Sequence, residues 1–376
     1  MPAPLQHAGD PVGIYVHLPF CRVRCTYCAF AVSTDLRLED AYGEALGREI
    51  AGAPAGSVAD TLFWGGGTPS RSSLRWIRSL DAALRERFRV AAGAEVTLEA
   101  NPEDVTGEAL EAWSALGVNR ISLGVQSFHD RELIPLGRIH GRARALESLE
   151  RVVRFGTRAS LDLILGLPGQ SSGSFAETLR IALGSGIGHL SVYILDLEKG
   201  SALESRVERG LIALPPDEQT AADYLRTVDA AEAAGLRQYE ISNFARPGEE
   251  SRHNLRYWDR RRYVGFGAGA HSFDGIERRG NLRDVRQYIE AVASGRGSVE
   301  LSERLSETEA TREKIFLALR KADGIGYADL LRWTGGKGDA WCERGVCEGW
   351  LRRNRDRVAF TPRGFLLSTE LISELF

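Results

Sequence analysis

From Gly13 to about Gly235, short apolar runs alternate with longer amphipathic ones. The runs at 13–17, 61–64, 95–99, 119–124, 159–165 and 189–194 have strand length. Between them, 37–51, 71–89, 107–116, 142–155 and 173–185 repeat apolar residues at helical spacing. This alternation predicts βα units around a parallel sheet, an α/β class, and six strands with crossover helices fit a partial (βα)6 barrel. A further helix is expected at 215–235, behind the start signal Pro215-Pro216.

Beyond this region the pattern changes twice. Residues 237–275 are less regular and rich in Gly, Arg and aromatics. After about residue 300, TEATREKIFLALRKA predicts a helix that Gly324-Ile325-Gly326 ends, and RVAFTPRGFLLSTELISELF reads as a short strand, a turn and a final helix. The expected organisation is a core barrel over 1–236, an α+β extension over 237–300 and a small winged-helix-like domain over 301–376. Such modules often bind nucleic acid. The only basic stripe here is Arg352, Arg353, Arg355 and Arg357, and the formal net charge is −3, so a packing role is expected and nucleic acid is not.

An apolar content of 43% and a charged content of 26% are ordinary for a globular protein with real cores. The start, MPAPLQHAGDP, has neither the basic nor the apolar part of a signal peptide. No apolar run approaches the ~18–20 residues needed to span a bilayer. A cytoplasmic setting is expected, where thiols stay reduced and iron–sulfur clusters are assembled.

The chain has five cysteines, and three of them fall in CRVRCTYC, as Cys21, Cys25 and Cys28. Three thiolates can hold three irons of a [4Fe–4S] cluster and leave the fourth iron open, whereas most cuboidal electron carriers use four. With His17 the three could instead form a Cys3His zinc site, but zinc ligands usually come as two short knuckles and only one is present. A disulfide fits the expected compartment less well. Cys342 and Cys347 match no ligand spacing and read as ordinary core thiols. The C-x3-C-x2-C spacing at the end of a first strand resembles the radical S-adenosylmethionine (SAM) superfamily. There the amine and carboxylate of SAM complete the open iron.

The remaining polar motifs fall where the C-terminal ends of parallel strands are expected, the side on which such folds place their chemistry. Gly65-Gly66-Gly67-Thr68-Pro69 follows the second strand and would expose backbone amides. Glu99 ends VTLEANPE and suits ribose hydroxyls, while Gln126 in GVQSF offers both a donor and an acceptor. Arg138 in LGRIH suits a carboxylate, and Asp162 opens the apolar SLDLILGLPGQ. Each alone is equally compatible with a cap or a salt bridge; their shared location is what gives them weight.

Together, YVHLPFCRVRCTYCAF, FWGGGTPS, LEANPE, GVNRISLGVQSF, LGRIH, LDLILGLPGQ, YEISNFARPG, HNLRYW and GFGAGAHS resemble the oxygen-independent coproporphyrinogen III oxidase group, and within it the HemW branch of haem chaperones, over nearly the whole chain. The resemblance implies that Cys21, Cys25 and Cys28 bind the cluster and that Tyr15, Gly66, Gly67, Thr68, Glu99, Gln126, Arg138 and Asp162 contact SAM. Tyr27 is carried over as a contact to a second small molecule. It also implies an electron donor and a haem-acceptor protein, and it leaves open a membrane-protein acceptor and a homodimer.

Two departures separate the branches. The oxidases resemble C-x3-C-x2-C-x-C, and Phe30 stands at the fourth position here; they also carry a longer segment before the first strand. Both point towards the chaperone branch and leave enzyme activity open, with oxidative decarboxylation of coproporphyrinogen III as the alternative. The resemblance further implies haem binding through His253-Asn254-Leu255-Arg256-Tyr257-Trp258, with His253 as axial ligand and Tyr257 and Trp258 as an apolar wall. On spacing alone, His253 capping a turn over inward-packed aromatics fits at least as well. His271 is a second candidate ligand, and Arg252 or Arg256 are candidates for the propionates.

Overall fold

The computed structural model describes residues 10–376, so the reading of the N-terminal segment lies largely outside the described residues. Six parallel strands, β1 (Val12–Leu18), β2 (Val58–Gly66), β3 (Arg89–Ala100), β4 (Arg120–Gln126), β5 (Arg158–Leu165) and β6 (His189–Ile194), pair in chain order. Helices Glu39–Ala51, Leu74–Arg87, Gly107–Ala115, Arg142–Phe155 and Ser172–Gly184 connect them. Every expected strand and crossover helix is present, with ends moved by a few residues. The shift is greatest at β2 and β3, whose first residues lie in a more polar stretch that continues the ladder past a bulge at Ala59/Thr61.

β1 is buried almost throughout, from Val12 to Leu18, as a strand covered on both faces requires. Its neighbours contribute Leu62, Trp64, Val96, Leu98, Ile121, Leu123, Leu161 and Leu163 to the core under the helices. Helix entries are secured locally: Thr106 Oγ1 caps Ala109, and Ser171 and Ser174 form a reciprocal capping box. Asp217–Ala233 realises the helix expected behind the prolines.

The irregular stretch 237–300 does not form a separate layer. β7 (Arg237–Gln238) and β8 (Asn243–Ala245) join one edge beside β6. β9 (Tyr263–Phe266) runs parallel to β1 on the other edge and is followed by antiparallel β10 (His271–Phe273), β11 (Glu277–Asn281) and β12 (Val299–Arg304). The result is one twelve-stranded mixed sheet. These strands escape sequence reading because several are two to four residues long and carry Gly or Arg instead of an alternating apolar pattern.

The C-terminal region has the helix–strand–helix–helix–hairpin order of a winged-helix module. Helix Glu307–Leu319 leads to β13 (Ile325–Gly326), helices Tyr327–Thr334 and Gly336–Cys347, and β14 (Leu351–Arg353) with β15 (Arg357–Phe360). Two short helices, Pro362–Leu366 and Ser368–Ser373, replace the single expected last helix. Arg260 and Arg278 of the extension both pair with Glu313 of this module. Cys342 is buried as expected of a core thiol, but Cys347 is exposed because it ends its helix on the outer side. No helix among the described residues is long and apolar enough to cross a membrane.

Candidate functional site

Above the C-terminal ends of the parallel strands lies a cavity of about 390 Å3. Cys21, Cys25, Cys28 and Tyr27 come to it from the loop after β1; Gly66, Gly67 and Thr68 from the end of β2; Glu99 from β3; Gln126 from β4; Asp162 from β5; and Arg138 from the loop beyond β4. Thus every residue expected to serve the cluster or SAM lines one cavity except Tyr15. Tyr15 sits lower in the barrel, with its hydroxyl 3.0 Å from His17 Nδ1.

The glycines at the end of β2 are required by space. A Cβ at Gly67 would come within 2.6 Å of the Pro19 carbonyl oxygen and 2.8 Å of Cys21 Sγ. Gly66 has φ +125°, and a Cβ there would meet the backbone of Leu18 at 2.9 Å. The chain therefore lies directly against the cysteine loop. Thr68 Oγ1 donates to Cys21 Sγ at 3.3 Å, and Gly66 N donates to Glu99 Oε2 at 3.0 Å.

Arg138 ties three walls together. Its Nη1 lies 3.6 Å from Cys25 Sγ, and its Nη2 donates to Asn101 Oδ1 at 2.7 Å and to the Gly124 carbonyl at 2.6 Å. Gln126 holds φ +68°, rare for a residue with a side chain, just past a bulge in β4, and this turn brings its side chain against Gly124 at the mouth. Asp162 accepts from Ser122 Oγ at 3.0 Å. Burial raises Asp162 above the usual carboxylate range and pushes Glu99 up to about 8, where the Gly66 amide partly opposes the effect and the neighbouring Asp162 adds to it. Burial likewise raises Cys21 to about 11 and raises Cys28.

These residues fit an iron–sulfur cluster with SAM beside it. Three thiols stand on one wall, a guanidinium lies against one of them, and glycine backbone leaves room next to another. Among the described residues, no three His, Cys, Asp or Glu side chains converge as tightly as one metal ion needs. A cuboidal cluster does not ask for that, because each thiolate takes a different iron. Asn101, Ser122 and Tyr193 also line the mouth and were missed in the sequence; Asn101 stands in the quoted EANPE motif, beside the more conspicuous Glu99.

Below, a second chamber of about 210 Å3 is lined by Tyr15, Phe63, Thr97, Arg120, His189 and His253 among others, and it shares Glu99, Asp162 and Tyr193 with the upper cavity. The helix Arg252–Trp258 forms its floor. The Glu95 carboxylate accepts from the amides of Arg252 at 3.2 Å and His253 at 2.9 Å. His253 is only 1% exposed, its Nδ1 lies 2.8 Å from Thr61 Oγ1, and its Nε2 lies 2.8 Å from the Tyr257 hydroxyl. Burial, aided by Arg256, lowers its pKa to about 3.

The HNxxYW segment is thus placed as a barrel plug. For His253 to ligate an iron, one of these bonds must break, and the chamber is smaller than the ~300–1,000 Å3 typical of drug-sized ligand sites. Tyr257 and Trp258 are half-buried. Arg256 is committed to Asp60 and to the carbonyls of Pro11 and Arg262, and Arg252 to the carbonyls of Gly93 and Asp60. His271 is exposed on β10.

A model of the radical SAM superfamily matches residues 15–182. A protein of Mycobacterium tuberculosis named Heme chaperone HemW is 37% identical, with 98% of this chain and 95% of that one covered. The Bacillus subtilis protein of the same name is also 37% identical, over 95% of this chain and 97% of its own. The chain belongs to the HemW family. Among solved structures, the coproporphyrinogen III oxidase HemN of Escherichia coli, described as a radical SAM enzyme, superposes with a TM-score of 0.84 at 25% identity, over 98% of this chain and 91% of that one. The radical SAM α/β fold and the HemW membership both agree with the sequence reading. Phe30, at the position where a fourth cysteine is expected from sequence in an oxidase, is 67% exposed at the rim of the upper cavity.

Proposed function

We propose that this chain binds haem and passes it to an acceptor protein, and that it carries one [4Fe–4S] cluster on Cys21, Cys25 and Cys28 beside an exchangeable SAM. The observation that carries the cofactor half is the 390 Å3 cavity in which three cysteines of one loop meet Gly66, Gly67, Glu99, Gln126 and Asp162 from the ends of four strands and Arg138 from the loop beyond β4. The haem half rests on the full-length similarity to proteins named heme chaperones. When bound, a reduced cluster with SAM supplies one-electron chemistry.

The chain's own groups have clear parts. Gly66 and Gly67 let the β2 terminus approach the cysteine loop. Arg138 fixes the position of that loop against Asn101 and Gly124, with its Nη1 directed at Cys25 Sγ. Burial raises Glu99 to about 8, which favours its protonated form, and in that form it can donate as well as accept a hydrogen bond. Tyr27 lines the same cavity, on the side of the cysteine loop.

The second reading, oxidative decarboxylation of coproporphyrinogen III, is favoured by the close superposition on HemN. Phe30 in place of a further cysteine weighs against it. The deciding experiment is anaerobic: reconstituted, reduced protein is given SAM and coproporphyrinogen III, and in parallel ferric haem. Haem binding and its release to an apo-haemoprotein without porphyrinogen turnover support the chaperone. Turnover to protoporphyrinogen overturns it in favour of the oxidase.

A further inference from the structure

The helix Arg252–Trp258 is held from two sides. Towards the barrel, Thr61 holds the His253 ring, Glu95 its amide, and Asp60 pairs with Arg256. On the other side, the C-terminal module reaches both ends of the helix. At the C-terminal end the cap residue Asp259 pairs with Lys321 Nζ at 2.7 Å, and the next residue, Arg260, pairs with Glu313. At the N-terminal end the amide of the cap residue Ser251 donates to the Tyr239 hydroxyl at 3.3 Å, while the Tyr239 carbonyl accepts from Ala322 N at 2.9 Å.

Residues 320–322 thus form a strap along 239–241. An antiparallel bridge joins Glu240 to Lys321, and Ile241 N donates to the Arg320 carbonyl at 3.0 Å. The strap is braced in turn by the module's hairpin. Arg352 donates to the Ala322 carbonyl at 2.6 Å, and Arg357 donates to the carbonyls of Asp323 and Gly324 at 2.7 and 2.6 Å. Two arginines of the basic stripe therefore work inward, on the backbone of the strap, in keeping with the packing role expected of the module.

The hold on the C-terminal end is made by charge. A carboxylate there stands against the negative end of the helix dipole, and Lys321 offsets this for Asp259. Lys321 also lies 3.6 Å from Asp323 of its own loop. Asp259 is exposed, so its pair opens without stranding a buried carboxylate. Arg260 has φ +50°, in the left-handed region that residues with side chains rarely adopt. Its guanidinium lies 4.9 Å from the Phe273 ring centroid, and Glu313 holds it together with Arg278. The chain leaving the helix is turned sharply and pinned to the module at that turn. Inside, both ring nitrogens of His253 face partners, Thr61 and Tyr257, so a ligand reaches them only when the helix shifts.

We propose that the C-terminal module is a clasp on the HNxxYW helix, with Lys321 and Glu313 as its positioning residues, and that haem reaches His253 as the clasp loosens. The inference rests on the chaperone reading, with the HNxxYW segment as its haem element, and adds what governs access to that element. The helix's barrel contacts are buried, whereas the clasp holds its ends by ion pairs nearer to solvent. Apparent haem affinity then scales with the fraction of chains whose helix is released.

The test uses the full chain, with ferric haem as the probe. Hydrogen–deuterium exchange of the 252–258 amides and a Soret-band titration are compared for wild type, Lys321→Gln, Lys321→Arg and Glu313→Gln. Lys321→Gln should speed exchange of this helix about two- to fivefold, the range of one partly exposed ion pair, and tighten haem binding by the same factor. Glu313→Gln, which releases Arg260 and Arg278 together, should do more. Lys321→Arg should stay near wild type, and peptides from β2 to β5 should exchange as before in every variant. Unchanged exchange at 252–258 in both Gln variants overturns the clasp. Exchange that rises equally in the barrel reduces the module to general packing and also overturns it. Faster exchange with unchanged haem affinity overturns the link to haem and leaves the chaperone reading standing. Wild type that binds no haem overturns the chaperone reading itself, while exchange in the variants still decides the clasp.

Discussion

Replacing His253 with Ala tests whether the HNxxYW helix is a structural plug. The ring makes two buried hydrogen bonds of 2.8 Å, and its removal leaves Thr61 Oγ1 and the Tyr257 hydroxyl facing a void. Each buried group left without a partner costs about 1–3 kcal/mol. The ring also packs at centroid distances of 5.0 Å from Phe63 and 5.1 Å from Tyr257, contacts worth about 0.5–1.5 kcal/mol each. With partial collapse of the site, the expected loss is roughly 3–5 kcal/mol, a large share of a usual stability of about 5–15 kcal/mol. Urea unfolding of the cluster-free protein, read by circular dichroism, measures it through a lowered midpoint at constant slope.

The same substitution carries a pH signature. His253 stays neutral in the fold down to about pH 3, whereas the unfolded chain takes up a proton near its ordinary 6.5. The unfolded state therefore holds more protons between these values, and stability drains as pH falls through that window by up to about 1.4 kcal/mol per unit. His253→Ala should lose this acid sensitivity, so its deficit against wild type narrows from pH 7 to pH 4. A variant within about 1 kcal/mol of wild type at pH 7, or a deficit that does not narrow, would refute the plug.

Glu99→Gln should behave in the opposite sense. Glu99 keeps its proton in the fold up to about 8 against an ordinary 4.5, so wild type loses stability as pH rises across that window while the variant does not; urea midpoints that run parallel from pH 5 to pH 8 would contradict the burial argument. Gly67→Ala forces a Cβ against Pro19 and Cys21, and the overpacking, about 1–3 kcal/mol, should lower the iron and sulfide content after reconstitution; wild-type content would show that the loop yields freely. Cys25→Ala should abolish the cluster's brown absorbance, and a full cluster in that variant would mean that the ligand set is different.

The barrel was legible because its strands carry short apolar runs separated by helices with regular apolar spacing. The cavity was legible because its residues sit in motifs at strand ends, which a parallel sheet must gather on one side. Tyr15 lines the adjoining lower chamber instead, because strand alternation tells which face a side chain takes but not how deep in the barrel it lies. His253 shows a second gap: a histidine followed by aromatics reads equally as a ligand or as a buried donor. The partners that hold it, Thr61 on β2 to the ring and Glu95 on β3 to the backbone amide, lie far away in sequence. The extension was unreadable for a related reason, since β9 draws its pairing from β1 rather than from its own neighbours in the chain.

That pairing bears on how the chain comes to be folded. β1 is the first strand made, yet one of its two hydrogen-bonded neighbours, β9, follows only after all six barrel strands, with Gly13 meeting Tyr263 and Val16 meeting Phe266. During synthesis the leading edge of the sheet therefore stays open until the ribosome has delivered nearly three-quarters of the protein. Such long-range closure is slow, because loop entropy must be overcome before the contact yields anything. An apolar strand with an unpaired edge is also a template for other chains. The cysteine loop begins only a few residues after β1, so the site of the cofactor and the last seam of the barrel mature side by side.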